Sequence, residues 1–184
     1  VGVARKAELG VVKVSGADGN ADISAVAEGI DSVFKHRGII TALDDGAYRT
    51  AAVVCAFTFP KSEALDRLFT YMWSRRFVAV AAAGNAGGDV DNYSPGGLNG
   101  ILTVGASDNS DNVPTFSNDA GTVVEQGSGL QTNGGEEVDV FAPGVSVRHV
   151  SISNRNEGGG YDAVSSADQF GTASGTSIST AIVG

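Results

Sequence analysis

Residues 51–83 read AAVVCAFTFPKSEALDRLFTYMWSRRFVAVAAA. The run from Val53 to Phe57 is apolar and Pro60 breaks it, the pattern of a short buried strand. Ala64, Leu65, Leu68, Phe69, Met72 and Trp73 then recur at three- and four-residue steps, so they mark one face of a helix. Helix-on-sheet packing already requires such a face, and a core stripe is the reading it takes. Phe77 to Ala83 follows as a second buried strand, far below the roughly 18 apolar residues that a membrane span needs. Strand, helix and strand in this order predict a parallel pair joined by a right-handed crossover, in a sheet whose ligands gather at the C-terminal strand ends.

The alternation continues on both sides. Leu9 to Val14 reads as a strand followed by the polar loop Ser15 to Gly19. Ile23, Val26, Ile30, Val33 and Phe34 have helical spacing, with Asp22 as candidate N-cap and Gly38 near the end. Ile101 to Val104, Val138 to Phe141 and Val145 to Val150 are expected strands, the last two flanking a Pro143-Gly144 turn. Residues 119–136 and 151–168 are polar and Gly-rich without periodicity and read as surface insertions. The expected class is α/β, a mostly parallel central sheet flanked by helices, in one domain over residues 1–184.

Composition narrows the function. Lys and Arg number 12 against 21 Asp and Glu, which disfavours a phosphate-binding surface and hence a nucleic-acid partner. No membrane partner is expected either. Cys55 is alone, so no intrachain disulfide forms, and its apolar neighbours mark it as a core thiol. The 26 glycines fall between apolar runs and read as turns.

Two segments carry chemistry. In Gly175-Thr176-Ser177-Ile178-Ser179-Thr180-Ala181-Ile182-Val183-Gly184 a Ser follows a glycine turn at the start of an apolar helix, where the helix N-terminus favours developing negative charge. In Ala81-Ala82-Ala83-Gly84-Asn85 a strand of small residues runs out into a side-chain amide able to donate to an oxyanion, a bond whose loss costs about 3 to 4 kcal/mol in a transition state. Each has a plainer alternative: a helix cap for the first, a turn residue for the second.

Taken together and in order, the motifs resemble the subtilisin-like serine proteases, and more closely their proteinase K-like branch. Gly2-Val3-Ala4 with Val12-Lys13-Val14 resembles that family's GVA and VKV segment. Asp18-Gly19, Ala82-Ala83-Gly84-Asn85, Asn92-Tyr93-Ser94-Pro95, Thr103 to Asp108, Phe116-Ser117-Asn118, Val138 to Gly144 and Ser174-Gly175-Thr176-Ser177 continue it. The resemblance implies a three-layer subtilisin-like fold, incomplete at both ends, in a partial peptidase domain. It implies Ser177 as nucleophile, Asn85 as oxyanion donor, and protein or peptide substrates. It makes Ala82, Ala83 and Gly84 a wall of the primary specificity pocket, and Gly19-Asn20-Ala21 a strand that pairs with bound peptide, with Ile23 at a more distant subsite. It also suggests a structural calcium ion at Asp139 with the carbonyls of Asn99 and Ile101; a strand-end hydrogen-bond acceptor is the equal alternative for Asp139. No other cofactor is expected, and the family setting is secreted or vacuolar.

The sequence also departs from the family. The pattern pairs its Ser with a His and an Asp that precede the GVA segment, and neither Asp-Thr-Gly nor His-Gly-Thr-His occurs here. His36 and His149 lack that context and read as surface or packing residues. An N-terminal part of the same precursor is therefore an expected partner, and this chain alone is expected to be inactive. Where the family has Ser-Leu-Gly-Gly along the cleft, this chain has Ala56-Phe57-Thr58-Phe59-Pro60, so the cleft is either reshaped or blocked. A serine endopeptidase is the first reading, and an inactive subtilase-like peptide-binding protein the alternative.

Overall fold

A computed structural model describes residues 3, 7, 9–16, 19–43, 51–114, 138–150 and 170–184. Both Gly-rich insertions lie outside the described residues, as do Gly2, Ala4, Asp18 and Phe116-Ser117-Asn118.

The first helix, α1, spans Ile23–Leu43. Asp22 caps it: its Oδ1 accepts the Ala25 N–H at 2.8 Å and the Ser24 hydroxyl at 2.6 Å. Those two bonds, the Ser24 hydroxyl first, hold the Asp22 carboxyl below its ordinary pKa. The helix runs past Gly38, where the sequence places its end; an interior glycine costs only about 1 kcal/mol. Strands β1 (Ala51–Cys55) and β2 (Phe59–Pro60) precede helix α2 (Glu63–Ser74). Ser62 caps α2 by accepting the Leu65 N–H. Then come β3 (Phe77–Ala82), a 3₁₀ turn at Val90–Asn92, β4 (Tyr93–Ser94), β5 (Leu102–Ser107), β6 (Val140–Pro143), β7 (Val147–Val150), β8 (Phe170–Ala173) and helix α3 (Thr176–Val183).

The central sheet has the order β1-β3-β5-β6 and every pairing in it is parallel, with Val53 opposite Ala79, Ala81 opposite Thr103, and Ala106 opposite Ala142. Two small antiparallel pairs, β2-β4 and β7-β8, lie apart from it. The alternation of strand side chains sends Val53, Cys55, Phe77, Ala79 and Ala81 to one face, under α1 and α2. Val80, Val104 and Ala142 face α3 on the other side, which completes the three layers.

On α2, Leu65, Phe69 and Met72 are completely buried. Burying each stabilises the fold by about 1.5–3 kcal/mol, more than the exposed Arg67–Glu63 ion pair on the same helix, worth about 0.3–0.5 kcal/mol. Phe34 joins the layer, with ring contacts to Tyr71 at 5.3 Å and Phe77 at 5.2 Å. Trp73 departs from the expected core stripe: it is 63% exposed and lies against Gly100, because it sits one residue beyond Met72 and turns off the buried face.

Residues 9–14 form no strand among the described residues. Leu9 is 85% exposed and the only ladder contact nearby is the antiparallel bridge of Ser15 with Ala21. An apolar run becomes a strand only when a neighbour takes its N–H and C=O groups. No described helix is long and apolar enough to cross a membrane.

Cys55 is buried in the larger core, and desolvation pushes its thiol from 9.0 up to about 12. An acid held neutral by folding favours the folded chain fully below its unfolded pKa and loses that advantage as pH rises toward the folded value. Stability is therefore expected to fall between about pH 9 and 12, and Cys55→Ala to flatten that slope in urea titrations. Iodoacetamide should modify Cys55 only after unfolding.

Candidate active site

The site forms where β3 and the start of α3 meet. Just past β3, the Ala83 N–H donates to the Val104 carbonyl at 2.9 Å, and the chain then turns at Gly84 and presents Asn85 at the surface. From the other side, Gly175 donates its N–H to the Gly144 carbonyl at 2.8 Å and α3 begins. Gly175 has φ +140, a region L side chains rarely enter, and a Cβ there would stand 3.3 Å from Asn85 Nδ2. The backbone thus requires a glycine, and a Cβ there would also crowd the Asn85 amide.

Asn85 holds the two pieces together. Its Oδ1 accepts the Thr176 N–H at 3.0 Å and the Thr176 hydroxyl at 3.0 Å, 91 residues away in sequence. The Gly84 N–H in turn donates to Thr176 Oγ1 at 3.2 Å, within the interior. Gly175 offers α3 no side-chain cap, so Asn85 fills that role for the first N–H of the helix. With Oδ1 committed to Thr176, Nδ2 is the donor end of the amide.

Ser177 is the second residue of α3 and half-buried. Its hydroxyl donates to the Ala56 carbonyl at 2.9 Å, just past the end of β1. The next turns of α3 are fixed by Ser179, which is buried and donates to the Ala142 carbonyl at 2.9 Å, and by Thr180, which donates to the Thr176 carbonyl at 2.7 Å. Ser177, Asn85, Ala56 and Gly84 therefore meet at the C-terminal ends of β1 and β3.

A cleft of about 400 Å³ opens beside Ala56. Gly19, Asn20 and Ala21 form one side of it, and Ala56, Phe57 and Thr58 the other; Val14, Ser15 and Phe59 complete the lining. The 19–21 side is held by the Gly16 N–H to Asn20 carbonyl bond at 2.8 Å. Phe57 and Thr58 are among the residues that line the cleft. Ile23 is 38% exposed and is absent from the cleft lining. Ala82, Ala83 and Gly84 are buried behind Asn85.

Asp139 lies elsewhere. Its Oδ2 accepts the Thr103 N–H at 2.7 Å and its own N–H donates to the Thr103 carbonyl at 3.0 Å, so it ties β5 to the entry of β6. Asn99 is exposed and Ile101 buried in the loop before β5. Among the described residues no three His, Cys, Asp or Glu side chains cluster as metal ligands. His36 is exposed on α1, and His149 is half-buried in β7 opposite Gly171. The role of Thr176 escaped sequence reading, and its position between Gly175 and Ser177 was the available signal.

The sequence profile of the subtilase family matches residues 1–184. The chain belongs to the subtilase family. It is 34% identical over 183 residues to Subtilisin-like protease 1 of Pseudogymnoascus destructans, covering 97% of this chain and 36% of that one. It is 33% identical over 159 residues to Subtilisin-like protease 2 of the same fungus, covering 84% of this chain and 33% of that protein. Subtilisin-like protease 1 of Trichophyton rubrum is 30% identical over 158 residues, with 86% and 27% covered. The chain thus spans about a third of the length of these curated relatives. In fold it is similar to a cold adapted subtilisin-like serine proteinase, at a TM-score of 0.60 and 23% identity over 93% of this chain and 48% of that one.

Thr176→Val keeps the shape of the side chain and deletes its hydroxyl, taking an acceptor from the buried Gly84 N–H and a donor from Asn85. A loss of about 1–3 kcal/mol is expected, read as a lower urea midpoint at constant m-value, with Thr176→Ser close to the parent.

Proposed function

We propose that this subtilase chain carries the nucleophile and oxyanion corner of a proteinase K-like serine endopeptidase. The observation that carries the reading is the pairing of Asn85 with Thr176, which brings an amide donor and Ser177 to one helix N-terminus beside an open cleft. In the reaction Ser177 Oγ attacks the peptide carbonyl and the Asn85 Nδ2 donor holds the oxyanion. The C–N bond breaks with a proton passing to the leaving amine, and water then hydrolyses the acyl-enzyme. Extended peptide lies between residues 19–21 and 56–58, adding a strand by backbone hydrogen bonds. The general base is a histidine supplied by another part of the full-length protein, as the family pattern requires. A secreted or vacuolar setting belongs to the same reading.

The alternative, a peptide-binding protein without turnover, is favoured by one contact. The Ser177 hydroxyl is directed to the Ala56 carbonyl, a backbone acceptor that an incoming peptide N–H would also seek. A fluorophosphonate probe on the full-length protein separates the two. Labelling at Ser177, lost in Ser177→Ala, is the expected result; folded full-length protein that stays unlabelled and still binds peptide would establish the binding reading. Asn85→Ala is expected to lower kcat about 10²–10³-fold with KM nearly unchanged, a magnitude taken from a subtilisin.

A structural calcium ion is part of the proposal. Asp139 Oδ1 and the carbonyls of Asn99 and Ile101 would supply oxygen donors of the kind this hard cation accepts, with water as further ligands, while Asp139 Oδ2 stays on the Thr103 N–H. At calcium about a hundredfold above Kd, chelation is expected to lower the Tm of the full-length protein by roughly 5–10 °C, and Asp139→Asn to abolish the difference. A Tm indifferent to chelator would remove the metal.

A further inference from the structure

We infer that Asp66 is a positioning residue for the peptide groove: with Lys61 and Ser94 it clamps the far end of the 56–58 side of the cleft, and so sets how tightly extended peptide is held. This rests on the reading of the cleft as a peptide groove and adds a determinant that lies outside the cleft and touches no substrate.

Asp66 stands in the first turn of α2, and its side chain is only 15% exposed. A carboxylate withdrawn this far from water requires partners. Its Oδ1 accepts the Ser94 hydroxyl at 2.7 Å, and its Oδ2 lies 3.5 Å from Lys61 Nζ. Ser94 is completely buried, and its Oγ also accepts the Ser62 N–H at 2.9 Å. Lys61 is held by backbone and side chain alike: its N–H donates to the Asn92 carbonyl at 2.9 Å and its ammonium to the Gly97 carbonyl at 2.6 Å. Beside these bonds Phe59 and Pro60 of β2 pair with Ser94 and Tyr93 of β4. The carboxylate thus ties the start of α2, the residue after β2 and the 92–97 segment into one polar knot. The Lys61–Asp66 ion pair is partly exposed and contributes little by charge alone, so the charge-assisted bond from Ser94, made in the interior, is the stronger tie.

The knot lies at one end of the groove. Residues 56–58 run from the end of β1 to the start of β2 and belong to neither strand. At the near end, β1 is in register with β3 up to Cys55 opposite Ala81, and the Ala56 carbonyl takes the Ser177 hydroxyl. At the far end stands the β2-β4 pairing, two residues a side and too short a ladder to fix a strand unaided. The knot supplies what that ladder lacks. Backbone pairing with a peptide requires an ordered partner, and holding 56–58 at both ends lowers the entropic cost of binding. A small ester reaches Ser177 and Asn85 without lying along 56–58, and Asn85 is oriented by Thr176 and not by the knot.

The test compares two substrates on the full-length protein. One is a peptide of about eight residues, long enough to lie along the groove, selected for binding to full-length Ser177→Ala from a library of unbiased sequence. The other is the p-nitrophenyl ester of acetic acid. Asp66→Ala is expected to raise KM for the peptide about tenfold with kcat nearly unchanged, and to leave kcat/KM for the ester within about twofold of the parent. Lys61→Met keeps an apolar stem and deletes the ammonium; it should raise the peptide KM severalfold, and it carries the test if Asp66→Ala does not fold. Asp66→Asn retains an oxygen acceptor for Ser94 and should recover most of the loss, while Glu63→Gln, in the exposed pair with Arg67, should match the parent. In parallel, full-length Ser177→Ala with and without Asp66→Ala is titrated calorimetrically with the peptide, and an affinity loss of about tenfold is expected. A loss shared equally by peptide and ester, or seen with neither, overturns the positioning role and leaves the protease reading intact. A parent that turns over neither substrate, but whose peptide affinity falls with Asp66→Ala, upholds the clamp and sinks the protease reading. Failure of the library to yield any bound peptide overturns both.

Discussion

The bond pair from Thr176 to Asn85 Oδ1 is the constraint on which the site depends. A helix N-terminus leaves its first N–H groups without intrahelical partners, and α3 begins after a glycine that cannot cap it. Asn85 satisfies the first of them, and Thr176 repays the contact by fixing which way the amide faces and by accepting the Gly84 N–H. One small network therefore sets the helix start, the orientation of the amide and the end of β3. The remaining fixed points, Gly175 on Gly144 and Ser179 on Ala142, tie the same helix to β6. Ser177 inherits its place from these bonds, and its hydroxyl donates to the Ala56 carbonyl.

Much of this was legible in the sequence where apolar periodicity was strong. The strand, helix and strand between residues 51 and 83 came out as read, as did α/β layering, the burial of Cys55 and the cap at Asp22. The readings that failed depended on partners that periodicity does not encode. Leu9 to Val14 has the composition of a strand without a described neighbour to pair with. Trp73 has the right residue type one position off the buried arc, and α1 passes Gly38 because one glycine is a small penalty against a long helix. Strand β8 was hidden at the end of a Gly-rich stretch, and its pairing with β7 is a tertiary fact.

At the site the same division holds. Ser177 and Asn85 were recognisable because their motifs are local, and the two sides of the cleft, residues 19–21 and 56–58, followed from family order. That the rings of Phe57 and Phe59 pack on each other could only be seen in space. Asp139 shows the opposite limit, since a carboxylate that closes a backbone bond between β5 and β6 has the same local sequence as one that meets a cation.

The 91 residues between Asn85 and Thr176 also bear on how the molecule is made. Closing so long a loop has a large entropic cost, and two hydrogen bonds alone do not offset it. The parallel strands between them must first be in register to bring the ends close, so the corner where Asn85 meets Thr176 belongs to the late, high-contact-order part of folding. A nascent or partly folded chain accordingly has Ser177 and Asn85 apart from each other. The approach of Ser177 to Asn85 is thereby withheld until the sheet that positions both is complete.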